Sequence, residues 1–198
     1  DVIYVQIRNL SDMSVFKPVF SANGYQYEKH YDVCLDLTKS AEELRGGLHK
    51  ERRRNIARAE REGVLVQEIT DRDDIEKAVV LLQDTYKRIK LPMPPENLLL
   101  DSMFVLGDKV RFIGAYLNNE LIAVRVVFCY KEIIYEWYAA YDEKYKKRSF
   151  GDLLTWTIIC WGHKNGYKIY DFGGAGKPGV PYGVRDYRYM MLPLMNEY

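Results

Sequence analysis

Histidine and cysteine are both scarce in this chain, three of each among 198 residues, and neither type clusters. Cys34, Cys129 and Cys160 are odd in number, far apart and set in apolar strand or helix patterns. That fits buried thiols in a reducing compartment and argues against a disulfide framework. His30, His49 and His163 are equally scattered, so no metal site is expected. No apolar run approaches the roughly 20 residues that cross a bilayer, and Asp1–Arg8 has neither the basic end nor the apolar core of a secretory leader. A soluble cytoplasmic protein without an integral membrane segment is the expectation. Net charge is also lacking: 29 Lys and Arg stand against 28 Asp and Glu. No internal repeat or low-complexity segment is found. With 47% hydrophobic residues, the length suits one large or two small domains with a proper core.

Three features stand out against that background. Balanced overall charge hides a basic stretch in which Lys50, Arg52, Arg53, Arg54, Arg58 and Arg61 face only Glu51 and Glu60. Arginines in such a row hold phosphates bidentately, although a solvated helix face is the competing reading. Tyrosine is abundant, seventeen in all, which suits half-buried strands as well as a cleft. Finally, the aromatic stretch Tyr167–Phe172 runs into Gly173, Gly174 and Gly176, a strand opening into a loop whose backbone a ligand can approach.

Periodicity orders the rest. Strands are expected over Ile3–Arg8 and His30–Leu37. Ser40 with Glu43 forms a capping-box signature for a helical region from Ala41 to Glu62, hinged at Gly46-Gly47 and stopped by Gly63. Val64–Ile69 reads as a strand. Asp71 or Asp73 then caps a helix with Ile75, Val79, Leu82 and Tyr86 on one face, ended by Leu91–Pro95 and followed by a short helix through Leu106. A meander follows: Arg111–Leu117, the turn Asn118-Asn119, Leu121–Tyr130, the turn Lys131-Glu132, and Ile133–Tyr141. A helix opened by Gly151 and closed by Asn165-Gly166 leads to the Tyr170 strand. This order resembles that of GNAT-superfamily acetyltransferases, an α/β (α+β) fold with a mixed, mainly antiparallel sheet flanked by helices. Their pyrophosphate loop has Gln or Arg, two residues, Gly, one residue, then Gly or Ala. Arg148-Ser149-Phe150-Gly151-Asp152-Leu153 keeps only the first half, while Lys146, Lys147 and Arg148 beside a helix N-terminus still offer an anion site.

Two separated segments resemble a narrower family. Arg53-Arg54-Asn55-Ile56-Ala57-Arg58-Ala59-Glu60-Arg61-Glu62-Gly63-Val64 and Gly166-Tyr167 through Tyr170-Asp171-Phe172-Gly173-Gly174 look like the paired signatures of the Fem family of non-ribosomal peptidyltransferases. The resemblance implies aminoacyl-tRNA as donor, the stem peptide of a lipid-linked or nucleotide-linked muramyl peptide as acceptor, no cofactor, and peripheral membrane contact where the acceptor is lipid-linked. It further implies the end of a first GNAT-like lobe in residues 1–40, a basic connection in 41–62, a second lobe in 63–188, and a tail, 189–198, returning to the first lobe. After Tyr182-Gly183-Val184-Arg185-Asp186-Tyr187 the family continues with a basic residue and Phe-Gly-Gly, where this chain has Arg188-Tyr189-Met190-Met191.

Aminoacyl transfer to an amine needs a deprotonated amine, a stabilised oxyanion and a protonated leaving hydroxyl, with no covalent intermediate. The implied catalytic groups are Tyr138, Asp171 and Arg188. Implied substrate contacts are Arg53, Arg54, Arg58, Tyr141, Lys147, Arg148, Tyr182, Arg185 and the backbone of Gly173 and Gly174. Asp171 has a second reading as the carboxylate that ties the glycine loop. Tyr138 and Tyr141, three positions apart on a strand, should face opposite sides, so one reaches the cleft. Two alternatives remain: a CoA-dependent N-acyltransferase of a cell-surface sugar or amine, and a non-catalytic module that binds RNA or an anionic glycan through residues 50–61.

Overall fold

Capping chemistry sets the first helices in the computed structural model, which describes Val5, Ile7 and residues 13–191. A short helix α1 (Lys17–Ala22) and strand β1 (Asp32–Asp36) precede α2 (Ala41–Gly47). Ser40 and Glu43 cap α2 reciprocally, hydroxyl to amide and carboxylate to amide. The expected break at Gly46-Gly47 separates α2 from α3 (Lys50–Arg61), and Gly63 ends the turn after α3 at φ +81°. Asp71, rather than Asp73, caps α4 (Arg72–Arg88), accepting from the amides of Asp73 and Asp74. Ile75, Val79 and Leu82 are buried on its inner face, each contributing on the order of 1.5–3 kcal/mol. Helix α5 (Glu96–Leu106) follows.

Among the described residues six strands form one sheet in the order β1-β6-β5-β4-β3-β2, with β2 Leu65–Ile69, β3 Val110–Leu117, β4 Glu120–Tyr130, β5 Ile133–Tyr141 and β6 Ile169–Gly174. The meander is as the sequence predicts. Asn118 and Asn119 take φ of +52° and +65°, the positive pair that a two-residue hairpin matching the strand twist requires. Every pairing is antiparallel except β5 with β6, which helix α6 (Phe150–Lys164) joins as a crossover. Gly162 lets α6 lie close on the sheet: a Cβ there would sit 2.4 Å from Ile134 Cδ1.

Helices α3 and α6 cover one face through Ile56, Leu154 and Ile158, and α4 and α5 cover the other through Val79, Leu82 and Leu99. Residues 32–36, assigned by resemblance to a first lobe, pair with β6 as the edge of the same sheet. A division at residue 40 therefore does not separate two sheets among the described residues. Helix α7 (Gly183–Met191) was not anticipated from the sequence and buries Met191 in the α6 face. The expected strand over Ile3–Arg8 falls largely outside the described residues, as do 192–198 of the expected tail.

Candidate active site

The sheet opens between β5 and β6. Their parallel pairing covers only Ile133–Ile169, Ile134–Tyr170 and Tyr135–Asp171. Beyond it β5 continues beside β4 while β6 bends away, paired with β1 across a bulge between Asp32 and Cys34. A second bulge, where Val126 faces Tyr138 and Val127 faces Glu136, re-aims β5 at the same level.

Two polar clusters occupy the α6 side of this opening. In the first, Arg125 of β4 and Glu136 of β5 form an ion pair, both about nine-tenths buried, and the Tyr170 hydroxyl donates to Glu136 Oε2 at 2.7 Å. Burial opposes the charge on Arg125, but the facing carboxylate outweighs it and holds the guanidinium charged above its ordinary range. Burial and then Glu136 push the Tyr170 hydroxyl far up. In the second cluster, Asp152 in the first turn of α6 accepts from Arg52 (3.2 Å), Asn55 (2.7 Å) and Tyr187 (3.2 Å), joining α3, α6 and α7. Arg52 also stacks over the Tyr187 ring at 5.0 Å. Burial pushes the Tyr187 hydroxyl up to about 12, with Arg125 partly opposing it. Tyr187 thus lies between the two clusters.

On the opposite side of β6, Asp171 is 1% exposed and accepts from the Gly173 amide at 2.7 Å. Burial, and then the charge of Asp32, raise its carboxyl to about 7. Burial and the two aspartates raise the neighbouring Cys34 thiol to about 12, leaving it an inert thiol. A carboxyl raised in the fold binds more protons than in the unfolded chain between its ordinary value and about 7, so stability falls as pH rises through that window. Thermal unfolding should therefore drop by several degrees between pH 5 and pH 8, and Asp171→Asn should flatten that slope. An unchanged slope in scanning calorimetry would contradict the assignment.

The structure distributes the expected site residues unevenly. Asp171, Gly173, Gly174, Arg185 and Arg188 come together, but as a braced loop. Arg188 donates to the carbonyls of Gly173 and Gly174 at 2.7 and 2.9 Å, and Arg185 donates to those of Ala175, Lys177 and Val180. The Gly173 amide, expected to face an oxyanion, is held by Asp171 instead, because φ of +77° turns it back on that carboxylate. The strand itself runs through Gly174, so the loop begins later than the glycine pattern predicts. Tyr182 packs against Gly176, whose added Cβ would lie 3.2 Å from its ring.

Tyr138 and Tyr141 do face opposite sides. Tyr138 stacks edge-on against Tyr86 of α4 at 5.3 Å, and Tyr141 lies against Phe150 at 5.9 Å, at the start of α6. Arg53 and Arg54 are exposed on the outer side of α3, and Lys147 is exposed just before α6. Arg58 and Arg148 both reach Glu62, at 2.8 and 3.0 Å, which reduces their availability to a phosphate. Sequence reasoning missed Arg52, Asn55, Asp152, Arg125 and Glu136. Two signals pointed to them: Arg52 and Asn55 lie one turn before Ile56 and Ala59 on the inward stripe of α3, and Arg125 and Glu136 are lone charges within apolar strands.

A mixed, mostly antiparallel sheet whose parallel pair parts beside a crossover helix defines a GNAT-type acyltransferase fold. Residues 48–189 match the acetyltransferase (GNAT) domain family, and the chain belongs to that family. Among solved structures it is similar to FemX (TM-score 0.72, 12% identity, 87% of this chain and 63% of that one). It is also similar to the C-terminal domain of a putative lysylphosphatidylglycerol synthetase from Agrobacterium fabrum (0.69, 15%, 92% and 63%). A third is L-PGS from Bacillus licheniformis (0.66, 17%, 92% and 63%). At these identities the likeness is one of fold, and the chain spans 63% of the length of each. No curated protein matches it in sequence. Among the described residues no helix is long and apolar enough to cross a membrane.

Proposed function

We propose that this chain is the acyl-transfer domain of an aminoacyltransferase that moves an amino acid from aminoacyl-tRNA to an amine on the stem peptide of a peptidoglycan precursor. The observation that carries this reading is Asp152. A GNAT enzyme that takes acyl-CoA binds the pyrophosphate at the start of the helix equivalent to α6, where free amides and the helix dipole favour an anion. Here a carboxylate already stands in that first turn, tied to α3 and α7, and Leu153 fills the place of the second small residue. Exposed cations lie outside it, Arg53, Arg54 and Lys147 among them, as contacts to a polynucleotide backbone require. One fold neighbour is by name the C-terminal domain of a putative synthetase of lysylphosphatidylglycerol, an aminoacylated lipid.

In this reaction the amine attacks the ester carbonyl, the tetrahedral oxyanion collapses, and the ribose hydroxyl leaves with a proton. The proton that the amine sheds on attack passes to the ribose oxygen as it leaves, while Asp171, buried on the other side of β6 and held by the Gly173 amide, ties the glycine loop. Arg185 and Arg188 fix the loop around it. A tRNA donor and a cytoplasmic precursor would place the reaction in the cytoplasm.

The test supplies the full-length protein with charged tRNA and either nucleotide-linked or lipid-linked muramyl pentapeptide. Mass spectrometry should find an acceptor heavier by one amino-acid residue, and no product with any amino acid would overturn the reading. Arg53→Glu with Arg54→Glu should raise KM for tRNA at least about tenfold, with kcat little changed and a shallower salt dependence. The family itself favours a second reading, transfer from acyl-CoA. Micromolar binding of acetyl-CoA in isothermal titration would establish that reading in place of the first.

A further inference from the structure

The Arg125–Glu136 pair lacks a structural explanation. Burying two charges costs several kcal/mol per ion before their attraction returns any of it, and apolar residues of the same volume commonly stabilise as well. The pair nevertheless sits in the middle of the sheet. Glu136 is the first residue of β5 beyond its last pairing with β6, at the β4–β5 bulge. Its carboxylate already holds Arg125 on one oxygen and Tyr170 on the other. Arg125 Nε, in a side chain about nine-tenths buried, has no hydrogen-bond partner among the described residues. Tyr187, a half-buried side chain of α7 whose hydroxyl donates to Asp152, is within electrostatic reach of Arg125, Glu136 and Tyr170.

Resting on the reading of the donor as aminoacyl-tRNA, we propose that Arg125 and Glu136 select an α-aminoacyl group: with Tyr187 withdrawn, Glu136 takes the α-ammonium and Arg125 the ester carbonyl oxygen. The complementarity is chemical. An aminoacyl ester differs from other acyl donors by a cation one carbon from the reacting carbonyl, and that cation can enter a low-dielectric site only against a carboxylate. The carbonyl oxygen becomes an oxyanion during attack, and a fixed guanidinium with an open donor favours that charge. An acyl group without the amine would leave Glu136 no new partner. A site built for such a contact rejects the analogue lacking it far more strongly than an apolar pocket rejects a missing methylene.

The experiment uses the full-length protein, a muramyl-pentapeptide acceptor and total charged tRNA. Half of that tRNA is treated with nitrous acid, which converts α-aminoacyl esters to α-hydroxyacyl esters. The wild type should transfer the amino form at least about 100-fold better in kcat/KM, and Glu136→Gln should bring that ratio to within about tenfold of unity. The ratio does not depend on how much of a destabilised variant is folded. Tyr170→Phe removes only the proton donated to Glu136, keeps the ring in its packing, and should shift the same ratio severalfold. Equal use of both donors by the wild type, or a ratio untouched in both variants, overturns the selection role while leaving tRNA-dependent transfer intact. Transfer from neither donor overturns the proposed function and this inference with it.

Discussion

Arg125→Met should lower stability by about 3–5 kcal/mol, because it strands the buried Glu136 carboxylate without the cation it is paired with. Both side chains are about nine-tenths buried, so water cannot replace the lost partner. Most of that loss should return in the double variant Arg125→Met with Glu136→Leu, since two apolar side chains of similar volume carry no desolvation penalty. Chemical denaturation measures both, read as a shift in midpoint at constant slope. A double variant as unstable as the single one would mean that the pair stabilises the fold outright. The restored double variant should also be folded and inactive, which separates the two roles of the pair.

Asp152→Ala should be the second most damaging change, at about 2–4 kcal/mol, because one carboxylate satisfies donors from three elements. Arg52, its main partner, is only 12% exposed, and Asn55 and the Tyr187 hydroxyl lose their acceptor at the same time. Asp152→Asn keeps one acceptor oxygen and should lose about half as much. Hydrogen exchange in the amides of α3 and α7 should rise in both variants, and more in the alanine. Exchange unchanged in α7 would show that Met191, and not Tyr187, docks that helix.

The sequence revealed the parts of this protein that depend on neighbours within a few residues. The Ser40–Glu43 box, an aspartate cap at Asp71 or Asp73 and the Asn118-Asn119 turn are local chemistry. So is the opposition of Tyr138 and Tyr141, which follows from strand geometry. The GNAT-like order of elements followed from these, and with it the family. The candidate site was legible only in outline. Arg185 and Arg188 were singled out in the sequence, but the loop carbonyls they donate to were not, because nothing local says where a guanidinium will turn.

What only the tertiary structure decided are the pairings between distant positions. Arg52 and Asn55 meet Asp152 across 100 and 97 residues, and Tyr170 meets Glu136 across 34. Periodicity records which face a side chain occupies, and so the pattern of this chain showed its strands and helices from β1 through β6 and their order, but neither α1 nor α7. Which buried charge meets which depends on how α3, α6 and α7 settle on one sheet. That is a matter of packing and desolvation summed over the whole core, and no short stretch of sequence carries it.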